Sequence, residues 1–164
     1  MKRIWVCAVA LAVLGSAMYA GSVLATPSSG LTTTILARSA FQQFELSGHS
    51  VPPGTWEAKM RTHGLTDVYV VDNKLAPGGT TGWHSHPGPS LILVLAGAVT
   101  NYDSSTPGCV PVTYTTGTGF VDAGGQDVHM LRNNGSVQAE TIAVQFLPKD
   151  AVRKIDEPQP ANCR

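Results

Sequence analysis

The stretch PGGTTGWHSHPGPSLILVLAG, residues 77–97, decides how the chain is read. It sets His84 and His86 two positions apart, just ahead of the continuous apolar run Leu91-Ile92-Leu93-Val94-Leu95. On extended backbone, side chains at i and i+2 share a face, so the two imidazoles converge on one point. On a helix the same pair would stand about 200° apart and could not chelate together. Gly78, Gly79 and Gly82 before the pair, and Pro87, Gly88 and Pro89 after it, exclude a helix here. The apolar run that follows has the length and bounds of a strand buried on both faces.

Working outward, the same signals repeat. Leu31 to Phe44 reads as a first strand or arm with Ile35, Phe41 and Phe44 inward, and Val51-Pro52-Pro53-Gly54 as a turn. Asp67–Asn73, Ala98–Tyr102, Phe120–Asp122, His129–Arg132 and Gln138–Leu147 are short extended segments by propensity. Val110–Tyr114 alternates as a half-buried strand, and Pro111 makes it an edge. Asn133-Asn134-Gly135 is a hairpin signal, because Asn and Gly both tolerate positive φ; it also explains the Asn134-Gly135-Ser136 sequon without a glycan. Helical periodicity is absent beyond one turn around Ala151. Eight to ten short strands with regular turns predict an all-β domain, a two-sheet jelly-roll barrel that protects its edges.

The first 25 residues carry Lys2 and Arg3, then the apolar run Ile4–Leu14, then mostly small residues, the pattern of a secretory signal peptide. Cleavage after Ser22 or after Ala25 fits the small-x-small rule, and the second leaves a polar start at Thr26. An uncleaved anchor is the rival, but the apolar run is short for a bilayer. Cys7 would leave with the leader, so Cys109 and Cys163 remain as an even pair that an oxidising compartment joins as a disulfide. Free thiols or metal ligation are the alternatives. The expected product is secreted, periplasmic or held at the cell envelope, with no stable membrane span. Its 139 residues suffice for one domain. Nine basic residues stand against eleven acidic ones, and no basic cluster offers a nucleic-acid or anionic-lipid surface. The division expected is 1–25 leader, 26–60 arm and first strands, 61–148 barrel, and 149–164 a tail tied down by Cys109–Cys163.

His129 is the third candidate ligand. It follows a Gly-rich bend at the start of a strand and in a closed barrel can face the His84/His86 pair. Three neutral imidazoles suit one divalent transition metal, Fe, Mn, Ni, Cu or Zn, with coordination positions left open. The competing reading is an exposed His-x-His pair with His129 capping a turn. His49 and His63 have no partner at ligand spacing and read as solvated loop residues. Trp83, Tyr102, Phe120 and Phe146 are candidates for the pocket wall. Arg132, at odd spacing from His129, points away, and Asp122 and Asp127 read as turn residues.

With these residues in place, the chain resembles the cupin superfamily. Gly78, His84, His86, position 90 and Gly97 follow the spacing of the first cupin signature; Gly117, His129 and Asn133 resemble the second. The departures are Ser90 where the signature has Glu, Ala123 where it has Pro, and one extra residue between Gly125 and His129. The resemblance implies a double-stranded β-helix and a mononuclear metal site. It also implies enzymatic chemistry on a small molecule, dioxygenase-like oxidation first and isomerase or lyase chemistry next, and pairing through sheet edges as a homodimer. A carboxylate would leave a divalent site at about +1, whereas three imidazoles leave it at about +2 and favour an anionic or chelating substrate. Gln145 and Ser90 are the candidates for a fourth ligand or for support behind the histidines. The alternatives are a non-catalytic binder of a small ligand or metal, and a cupin that has lost its metal.

Overall fold

The computed structural model describes residues 24–52 and 54–163; Cys7 and all but the last two residues of the expected leader lie outside these. Strands follow one another as β1 (Ser29–Phe41), β2 (Glu45–His49), β3 (Glu57–Arg61), β4 (Thr66–Thr80), β5 (His84–Ser85) and β6 (Ser90–Ala96). After these come β7 (Ala98–Asp103), β8 (Val112–Thr115), β9 (Gly119–Asp122), β10 (His129–Arg132), β11 (Ala139–Pro148) and β12 (Ile155–Asp156). A single turn of 3₁₀ helix at Pro107–Cys109 is the one helical element among the described residues. The protein is all-β.

One side of the barrel is the antiparallel run β1-β4-β11-β6-β9, and the other is β12-β5-β10-β7-β8. The two join where Arg132 of β10 pairs with Thr80 at the end of β4. Between them lie Leu75, Val94, Val99 and Ala139, fully or almost fully buried, with Leu31, Tyr114 and Phe120 packed against them. A second cluster, Tyr69, Val71, Ile92, Ala143 and Leu147, extends the core along β4, β6 and β11. β11 shows why the layers form: Ala139, Thr141, Ala143, Gln145 and Leu147 face in, and the residues between them face out, the period of two that a strand imposes.

Several expectations are corrected. β6 is buried on one face only: Ile92 and Val94 point inward, while Leu91, Leu93 and Leu95 are 44–49% exposed. A continuous apolar run does not reveal whether anything covers its second face. Ile35 and Phe41 are likewise exposed, because β1 lies on the rim of the sheet and pairs with β4 alone. The expected turn at 51–54 lies between β2 and β3, which pair as a separate hairpin that the sequence reading did not identify. Ala151 follows a turn and starts no helix. β1 also runs along β4, and β12 pairs with β5. Pro111 does precede an edge strand, β8, which pairs with β7 only.

The tail is bonded into the barrel. Cys109 and Cys163 form a disulfide across 54 residues. Glu157 donates its N–H to the Trp83 carbonyl and accepts from Thr26, and its side chain accepts from the Ser85 hydroxyl at 2.9 Å.

Candidate metal centre

His84 and His129 are direct cross-strand partners on β5 and β10, which brings their side chains together. Their Nε2 atoms lie 3.0 Å apart, the distance expected of two ligand atoms each about 2.1 Å from one ion. His86 lies just beyond β5, and its ring stands 4.8 Å from that of His84 and 5.4 Å from that of His129. One ligand atom from each of the three falls within 4.8 Å of the others, and all three residues are buried. The convergence expected from the sequence is present.

Backbone carbonyls fix two of the rings. His84 Nδ1 sits 2.8 Å from the Gly82 carbonyl and His86 Nδ1 2.6 Å from that of Arg153. A carbonyl can only accept, so each Nδ1 carries the proton and each Nε2 presents a lone pair to the centre. Burial pushes all three imidazoles below their ordinary pKa, and His84, flanked by the other two, falls to about 2. Neutral imidazole is the form that binds metal. The residues fit a divalent transition metal.

The rings share a small cavity, about 50 Å³, with Gln145, Arg153 and Lys154. Thr33, on its rim, is exposed. Thr141 also lines the cavity, and its hydroxyl is fully buried with no hydrogen-bond partner. Such an orphan is costly unless something in the cavity satisfies it. Arg153 Nη1 donates to Gln145 Oε1 at 3.1 Å, and among the described residues no carboxylate pairs with it. Lys154 is paired with Asp156.

Gln145 and Ser90 stand beside the histidines, both buried and joined by an Nε2–Oγ hydrogen bond of 3.3 Å. The Gln145 amide oxygen, the atom that would ligate, already accepts from Arg153. The four aromatic residues named as pocket walls do not line the cavity. Phe146 follows the inward-facing Gln145 on β11 and so faces out. Phe120 stacks on Tyr114, ring centres 4.5 Å apart, within the core. Trp83 is buried edge-on to Tyr102 instead. His49 and His63 are exposed, and Arg132 points to solvent.

Sequence reasoning gave Arg153 and Lys154 no role at the site, placing them in a tail tied down by the disulfide. The expected Cys109–Cys163 disulfide is present, but it did not reveal which tail residues reach the histidines. Sequence reasoning also missed Asp122, whose carboxylate oxygens lie 3.8 Å from His86 Nε2 and 3.7 Å from His129 Nδ1.

No protein-family model matches the chain, and no curated protein matches it by sequence. Solved structures do. The polyketide cyclase RemF from Streptomyces resistomycificus matches with TM-score 0.53 at 13% identity, over 85% of this chain and 80% of its own. A conserved protein with a double-stranded β-helix domain from Klebsiella pneumoniae matches at 21% identity over 55% and 75%, TM-score 0.46. The cupin domain of an XRE-family transcriptional regulator from Enterobacter cloacae matches at 14% identity over 74% of this chain and all of its own, TM-score 0.47. At these identities the likeness is one of fold. The chain is an all-β barrel whose fold resembles that of RemF, with a buried cluster of three histidines in its interior.

Proposed function

We propose that this protein is a metal-dependent cupin enzyme, an oxidoreductase of dioxygenase type acting on a small anionic molecule. His84, His86 and His129 hold one divalent ion of Fe, Mn, Ni, Cu or Zn. The observation that carries the reading is a set of three neutral imidazoles sharing one cavity with a guanidinium that has no carboxylate partner. A divalent ion there supplies Lewis acidity and open positions for a substrate oxygen. Arg153 stays charged at any physiological pH and presents a fork suited to a carboxylate. The free Thr141 hydroxyl offers a further hydrogen bond. Ile92, Leu131 and Ala143 supply apolar wall and limit the substrate to a few heavy atoms. The disulfide supports work in an oxidising compartment, reached by the leader at 1–25.

The test is elemental analysis of the native protein beside His84→Ala and His129→Ala, followed by oxygen uptake with a panel of small carboxylates. One ion per chain, lost in both variants, is expected. Turnover that Arg153→Gln weakens chiefly through KM is also expected. Metal retained in both variants overturns the ligand set. Stoichiometric metal without turnover of any panel member favours the second reading, a non-catalytic binder of metal or a small anion, which the small cavity volume supports.

A further inference from the structure

The first departure from the cupin signature, Ser90 in place of Glu, leaves the three histidines without the carboxylate that the signature provides. Strand register shows where another lies. Ser90 on β6 is the cross-strand partner of Asp122 on β9. Asp122 is 3% exposed and faces the same interior. One of its oxygens, Oδ1, accepts the Gly124 N–H at 2.9 Å, the local bond that a turn aspartate makes. The other, Oδ2, is buried with no hydrogen-bond partner and sits 3.8 Å from His86 Nε2, the nitrogen that the Arg153 carbonyl leaves free for metal. Turn chemistry explains one oxygen and not the other. A buried carboxylate oxygen with no donor persists only where a cation compensates it. Arg153 does not pair with it, and no other cationic side chain among the described residues does.

Resting on the metal reading above, we infer that Asp122 supplies the missing carboxylate, so that the ligand set is three histidines plus an aspartate moved to the neighbouring strand. Asp122 Oδ1 also faces His129 Nδ1 at 3.7 Å. The loop after Asp122 is built to hold it. Gly125 donates its N–H to the His86 carbonyl at 2.7 Å, and Gly124 packs directly on Gly88. With the aspartate bound, a divalent site carries about +1 instead of +2, which strengthens metal retention and softens its Lewis acidity.

The experiment is Mn(II) binding to the full protein and to Asp122→Asn, by titration with the free ion and by pulsed EPR on protein labelled with ¹³C in the aspartate carboxyl groups. Asp122→Asn keeps the shape and the Gly124 bond, and its affinity is expected to drop about tenfold or more. The loaded wild type should show a ¹³C hyperfine coupling that the variant lacks. Equal affinity in a folded Asp122→Asn, or no coupling in the wild type, overturns the assignment. If the variant does not fold, the labelled wild type decides alone. Failure of the wild type to bind Mn(II) or any of the other four ions instead sinks the metal reading itself, and this inference with it.

Discussion

At the residue scale, Gly124 shows how closely the site depends on backbone packing. Its φ is +69°, and a Cβ there would lie 2.2 Å from the Gly88 carbonyl oxygen. Both partners are main chain and cannot swing aside, so Gly124→Ala meets a steric clash as well as a left-handed φ. The substitution is expected to cost about 2–4 kcal/mol, read from urea unfolding, and to displace the bend carrying Asp122 and His129. A variant within experimental error of wild type would mean that the two loops do not pack as described. The contrast with Gly125 is informative. It also has positive φ, at +70°, but a Cβ there would meet nothing. Gly125→Ala therefore carries backbone strain alone and should be the milder of the two.

At the element scale, β6 and β4 carry separate predictions. Because β6 buries one face only, Val94→Ala, at a position 2% exposed, should destabilise by about 2–3 kcal/mol, while Leu93→Ala, 47% exposed, should cost under about 1 kcal/mol. Equal costs would show that the outer leucines are covered. On β4, Asp67 is almost wholly buried and accepts from Arg38 of β1 at 2.5 Å and from the Asp150 N–H at 2.8 Å. The Arg38 hydrogen bond first, then that of the Asp150 backbone, holds its carboxyl below the usual value. A depressed folded pKa gives stability that is present above the unfolded pKa, near 3.9, and lost as pH falls through the folded value. Melting temperature should therefore drop between pH 5 and pH 2, and Asp67→Asn should melt lower at pH 7 yet decline less steeply in acid. Parallel acid limbs would remove Asp67 from the account. These elements also show what the sequence made legible. Alternation and turn chemistry located β4, β6, β7 and β9–β11 to within a few residues, β4 running on past the expected Asn73; the His-x-His spacing singled out two of the clustered histidines, and the Gly-rich bend before a strand singled out His129. Period two also implied that Gln145 and Phe146 face opposite ways, so both could not serve the site. The two-residue strands β5 and β12 left no periodic signal, and Asp122 was hidden because a turn accounts for an aspartate at that place.

At the scale of the whole molecule, the site is closed by a segment distant in sequence, and its integrity depends on a covalent link. Residues 149–163 cross the barrel mouth and give the Arg153 carbonyl to His86, the Arg153 side chain to Gln145, and β12 to β5. Few apolar contacts hold this segment. Val152 and Ile155 are exposed, and its grip is mainly polar: short backbone pairing, the bonds of Asp150, Arg153 and Glu157, and the disulfide. Closing a 54-residue loop restricts the unfolded chain by about 4 kcal/mol on the chain-entropy account. Cys163→Ser should therefore lower global stability by about 2–4 kcal/mol. The same change frees the far end of the tail, so local opening at Arg153 should become more frequent than global unfolding requires. His86 then loses the carbonyl that fixes its tautomer for part of the time, and metal affinity should fall about tenfold or more. Hydrogen exchange resolves the two effects. In Cys163→Ser, or in wild type after mild reduction, the amides of β12 and of Glu157 should exchange faster by a larger factor than those of β4 and β11. A uniform acceleration would mean that the disulfide stabilises the barrel as a whole and that the tail does not move separately from it. Unchanged metal affinity under the same conditions would show that His86 keeps its orientation without the tail.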